Sequence, residues 1–199
     1  METFDETSLL LKLEGMPAWK RVAFMAYCCE RMLPNYAVFK AQTSYGNSAV
    51  LRTALDAIWE WVENDQTSEN LLMLARQSEQ QAPDTAEFSS SYTSAALDAA
   101  TAIATTAEAI SDATASKVIE VASLARDTID LFVQEVDDLD PNDPRLDEKI
   151  LRSDLMQAEL RTQRQSLEKL KGLPSDDKNL RARLREQWAN LEVGSLPVG

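Results

Sequence analysis

Residues 114–137 read TASKVIEVASLARDTIDLFVQEVD, and their spacing decides the fold class. Val118, Val121, Ala122, Ala125, Ile129, Phe132, Val133 and Val136 fall at offsets of 0, 3, 4, 7, 11, 14, 15 and 18. Glu120, Asp127, Asp130 and Gln134 fall elsewhere. An α-helix brings residues three and four apart onto one face, so the pattern is an amphipathic helix packing on a core.

The same period continues on both sides. Before it, eight of the 15 residues from Ala95 to Ala109 are alanine, which predicts a close-packing helix over about Ser90 to Ser111. Leu51, Ala54, Leu55, Ile58 and Val62 share one face of a helix with Ser48 as its N-cap. Shorter helices are predicted from Ser8 to Glu14 and, capped by Ser68, over a stretch ending before Pro83. Pro17 opens a helix running to about Leu33, and Pro34 separates it from a further segment, Asn35 to Tyr45. After the break DDLDPNDP (137–144), one helix is expected from Asp143 to about Lys171 and another from Asp176 to Glu192. The last places Leu180, Leu184, Trp188 and Leu191 on one stripe. Five glycines and seven prolines punctuate these segments, and no strand alternation appears. The expected architecture is an all-α bundle of seven to nine mostly antiparallel helices with no sheet. Residues 1–193 form one helical domain in this reading, and 194–199 a frayed tail.

Composition narrows the function. The chain has 199 residues, a formal net charge of -13 and no histidine. At this size roughly 70% of the surface is buried on folding, enough for a core without staples. The absence of imidazole excludes Cys-His nucleophile pairs and the Glu-x-x-His pairs of di-iron bundles. Between Glu60 and Asp143 there are 18 acidic and three basic residues, whereas Arg145 to Trp188 carries 11 basic and eight acidic ones. The acidic centre opposes nucleic acid and anionic lipid, and the interspersed C-terminal charges read as solvated helix faces. No nucleic-acid or membrane partner is expected. The longest strongly apolar run, Val22 to Cys29 (VAFMAYCC), is too short to span a bilayer, and no secretory signal is visible. Cys28 and Cys29 are adjacent, too close in the chain to pair, which fits a reducing cytoplasm. They lie in an apolar run that raises their pKa. No phosphate-binding glycine motif occurs. An EF-hand register begun at Asp138 fails at Asp143, where glycine is needed, and at Lys149, where glutamate is needed. No catalytic residue, metal site or cofactor is assigned.

The segment Val22 to Cys29 is apolar on every side, so it belongs at the centre of a bundle. The ionic groups that follow then need partners. Glu30, Arg31, Asn35 and Tyr36, with Trp59 from the next helix, are the candidate ligand-binding group, a polar pocket for an anionic or amide-bearing molecule. The competing expectation is structural: Glu30 and Arg31 find charge partners, and Asn35 staples the turn at Pro34. Arg52 and Asp56, four apart, read as a surface ion pair.

Trp19-x-x-Val22-x-Phe24-Met25-Ala26, Cys29-Glu30-Arg31-Met32-x-Pro34-Asn35-Tyr36-x-x-Phe39, Gly46 and Leu55-x-x-Ile58-Trp59-Glu60 resemble the bacterial YjaG-like family, domain of unknown function 416. A looser match runs through Pro83, Phe88 and Ala96-x-Asp98-Ala99. The resemblance implies an α-helical, soluble bacterial protein with a suggested link to histidine-kinase signalling. It supplies no catalytic residue. A phosphotransfer domain carries its phosphoryl group on imidazole, so a signalling role here means binding a partner. The function expected is that of a non-enzymatic cytoplasmic protein acting through protein contacts, as a homo-oligomer or with a protein partner. The alternatives are the small-ligand pocket near Arg31 and Asn35 and, third, an enzyme using carboxylates.

Overall fold

A computed structural model describes residues 1–175 and 177–197. Among these are nine helices and no strand: α1 (Glu6–Glu14), α2 (Ala18–Thr43), α3 (Ser48–Asn64), α4 (Leu71–Glu79), α5 (Thr93–Ala109), α6 (Ala115–Val136), α7 (Leu146–Arg152), α8 (Asp154–Gly172) and α9 (Lys178–Trp188). The protein is an all-α bundle. The α6 stripe faces the core as its spacing requires, with Val118, Val121, Ala122, Ala125, Ile129, Phe132 and Val133 buried. The last member of the stripe, Val136, is exposed, because the helix ends there in the acidic break.

α2 occupies the centre, packed on α3, α5, α6 and α8. Val22 to Ala26, Cys28 and Cys29 are all buried, and only Tyr27 of this stretch is half-buried. The alanines of α5 permit close approach. All eight between Ala95 and Ala109 are buried against α2, α3, α4 and α6. A larger side chain at such a site would force displacements costing about 1–3 kcal/mol.

Two segments differ from expectation in helix count, and α9 ends at Trp188, short of the expected Glu192, so Leu191 lies beyond its stripe. Pro34 lies inside α2 and does not divide it. An interior proline removes one i→i−4 hydrogen bond and costs about 3 kcal/mol. Here both halves bury large side chains in one core, Phe24 and Met25 before Pro34 and Tyr36 and Phe39 after it. Each such burial contributes about 1.5–3 kcal/mol, so packing outweighs the local break. Conversely, the helix expected from Asp143 to Lys171 is two. Ser153 takes an extended conformation (φ -61, ψ 145) and its hydroxyl accepts the amide of Met156 at 3.2 Å, capping α8 afresh. At the other end, α9 begins at Lys178, and the expected start at Asp176 lies outside the described residues.

The C-terminal segment is held, not frayed, as far as it is described. The amide of Ser195 donates to the Arg31 carbonyl at 2.8 Å, and Leu196 is 2% exposed. Tyr92 Oη donates to the Pro197 carbonyl. Residues 198 and 199 lie outside the described residues.

Candidate functional site

The five candidate residues sit along α2 and α3, but they do not converge on one cavity. They form four separate anchors. Glu30 is 1% exposed and accepts from both Arg52 terminal nitrogens, at 2.8 and 2.7 Å. Trp59 Nε1 donates to Glu30 Oε1 at 2.8 Å, and the Asn190 amide donates to Oε2 at 2.9 Å. One carboxylate therefore ties α2 to α3 and to the chain beyond α9. Arg52 also meets Asp56 at 3.0 Å, so the expected surface pair exists. Its larger role is the bidentate clamp on a buried partner, a geometry that suits guanidinium.

Arg31 points to the opposite side. Its Nη2 lies 2.5 Å from Glu159 Oε2 on α8, and its guanidinium lies over the Tyr27 ring. Burial opposes the Arg31 charge, and the adjacent Glu159 more than restores it, raising the pKa above the ordinary value. Gln163 donates to the other Glu159 oxygen at 2.8 Å and to the Ala122 carbonyl at 3.0 Å. Tyr27 in turn stacks on Trp188, with centroids 4.4 Å apart.

Asn35 does not staple a turn, since α2 continues through it. It reads the C-terminal segment: Nδ2 donates to Ser195 Oγ at 2.9 Å, and Oδ1 accepts the Leu196 amide at 3.3 Å. A Cβ at Gly194 would collide with Asn35 Oδ1, so this approach requires glycine. Tyr36 Oη donates to the Gln81 carbonyl at 2.9 Å. Gly46, at φ +74, lies against the same hydroxyl, where a side chain would be both strained and overlapping.

Arg52, Glu159, Ser195 and Gln81 were not singled out as candidate-site residues from the sequence. Only Arg52 had a readable signal. It is the sole basic residue between Lys40 and Arg76, and so the one cation that the next helix offers to a glutamate beside an apolar run.

Beside the Glu30 anchor runs an open groove of about 830 Å³. Leu33, Val38 and Ala41 of α2, Ala49 and Arg52 of α3, and Leu191 are among the residues that line it. None of the five candidates does. The cysteines offer no nucleophile: burial pushes the Cys28 thiol well up and that of Cys29 to about 12. Among the described residues, no three acidic or thiol groups are placed to hold a metal, and no helix is long and apolar enough to cross a membrane.

Residues 8–197 match the family described as protein of unknown function (DUF416). The chain belongs to this family. It is 32% identical over 120 residues to the uncharacterized protein YjaG of Escherichia coli K12, covering 60% of this chain and 61% of that one. Against YjaG of Salmonella typhimurium it is 52% identical over 50 residues, 25% of this chain and 26% of the relative. The chain thus spans less than two thirds of these curated relatives. A crystal structure of a DUF416 family protein from Shewanella baltica OS155 superposes with a TM-score of 0.80 at 26% identity, covering 89% of this chain and 91% of that one. The likeness to that fold takes in 89% of this chain, and the family's function is unknown.

Proposed function

We propose that this is a non-enzymatic cytoplasmic protein that acts through protein contacts, and that the groove between α2, α3 and Leu191 receives an amphipathic helix of its partner. The observation that carries the reading is the contrast between the groove and the anchors around it. Glu30, Arg31, Asn35, Tyr36 and Trp59 spend their polar groups on the fold. Leu33, Ala37, Val38 and Ala41, at helical spacing, leave an apolar strip at the surface. Helix-in-groove recognition uses such strips, with anchors three and four residues apart. The buried thiols of Cys28 and Cys29 suit a reducing compartment. In two-component signalling such a protein would bind a partner without carrying phosphate, since it has no histidine.

The test is association. Sedimentation and cross-linked capture from cells should show a second copy or a defined partner, lost in the A41E variant while helix content is kept. A strict monomer with no capture, or capture indifferent to A41E, overturns the proposal.

A further inference from the structure

A second cavity, of about 540 Å³, opens on the opposite approach to α2, where α1 and the end of α8 meet its first turn. Lys12, Lys20 and Lys171 line it together with Ser8 and Ser175, and among the described residues no carboxylate does. The chain as a whole carries a net charge of -13, so three lysines without a carboxylate set this cavity apart.

Lys20 is 4% exposed, and its ammonium donates to the Leu173 carbonyl at 2.6 Å. Capping the end of α8 accounts for that one bond and leaves two of the three ammonium donors. Burial lowers the Lys20 pKa, a penalty that an adjacent anion would remove. Lys12 lies 3.7 Å from Glu168, which is half exposed, and no ion pair engages Lys171 among the described residues. The second, independent feature is the start of α2. Pro17 lines the cavity and is the N-cap, no side chain caps this 26-residue helix, and no acid occupies its first turn. Helix N-termini left in this state attract anions.

We propose that this cavity binds a phosphate monoester of a small organic molecule, with Lys12, Lys20 and Lys171 and the α2 N-terminus meeting the phosphate. Three lysines suit a dianion, since an ammonium acts as a point charge toward phosphate. The volume falls in the range of small-molecule pockets, and Leu11 and Met16 give an apolar wall for a carbon skeleton. The overall net charge of -13 opposes approach to an anionic bilayer, so the occupant is the free ester and not a lipid headgroup.

Calorimetric titration of the full chain with glycerol 3-phosphate should show saturable binding, weakened as salt is raised. K171E and K12E should each weaken it at least tenfold. Trp19 Nε1 donates to the Ser175 carbonyl at the cavity rim, so its indole resonance should shift in wild type and not in K171E. A41E, in the distant groove, should bind normally, which separates this site from the association surface. No saturation at millimolar ester, or unchanged affinity in K171E with native helix content, overturns the proposal. So does pelleting with phosphatidic acid vesicles in the absence of any soluble-ester binding.

Discussion

Glu30 and Asp98 are both buried carboxylates at the heart of the bundle, 1% and 8% exposed, and they are treated in opposite ways. Glu30 receives four N–H donors, two from a guanidinium, one from an indole and one from the backbone. Asp98, on the alanine-rich α5, receives one hydroxyl, Thr128 Oγ1 of α6, at 2.9 Å. Burial, with only that bond opposing it and Asp127 adding to it, pushes the Asp98 carboxyl up to about 7. The difference teaches where the fold needs charge. Glu30 joins α2, α3 and the chain beyond α9 at one point. Asp98 sits where small side chains already bring two helices together, and its charge is tolerated there more than used.

The sharpest way to break this comparison is to delete Glu30. E30A leaves the Arg52 clamp and the Trp59 indole without their buried acceptor, and removing one member of a buried pair costs about 3–5 kcal/mol. Urea unfolding should show a loss in that range. A double cycle with R52M should show coupling above about 1 kcal/mol, because the two side chains act as a unit. A loss in E30A below about 1 kcal/mol would mean that the cluster is incidental to stability.

What was legible in the sequence follows from range. The α6 stripe is a local pattern, and seven of its eight members are buried. The central place of Val22 to Cys29 follows from its being apolar on all sides. The need of Glu30 and Arg31 for partners was equally readable, since neither charge is stable alone beside a buried helix. The identity of most partners was not. Arg31 meets Glu159, and Asn35 meets Ser195, 160 residues away, and no local period encodes pairings of that separation. Pro34 misled for a related reason. Its local cost is fixed by the ring, whereas the burial that outweighs it depends on α3, α5 and α6 closing around both halves of α2. The C-terminal segment lacks helical periodicity, so its docking on Asn35 had no signal beyond the glycine at 194.

Asp98 provides the next prediction, in which sign matters. Its carboxyl titrates near 3.8 when unfolded and near 7 when folded. The folded state therefore holds a proton that the unfolded state has released over that interval. The stability this group allows is full below about pH 4, is lost as pH rises to about 7, and stays lost above it. At about 1.36 kcal/mol per pH unit the loss is at most about 4 kcal/mol. D98N keeps an acceptor for Thr128 and carries no charge. It should raise stability at pH 8 by about 1–3 kcal/mol and change it little at pH 4. A gain equal at both pH values would show that Asp98 is not titrating in the core.

The smallest effect tests the hydroxyl. T128V preserves the shape of a buried side chain (1% exposed) and removes the hydroxyl that donates to Asp98. An ionised carboxylate depends on that donor, whereas a protonated one does so far less. The variant should lose about 1 kcal/mol at pH 8 and under half of that at pH 4. Combined with D98N it should lose nothing further at pH 8 beyond its pH 4 cost, because the charge that the hydroxyl served is gone. If T128V were instead neutral at both pH values, Asp98 would have to draw on water at the α5–α6 seam, and the contrast with the sealed Glu30 cluster would be one of solvent access and not of donor number.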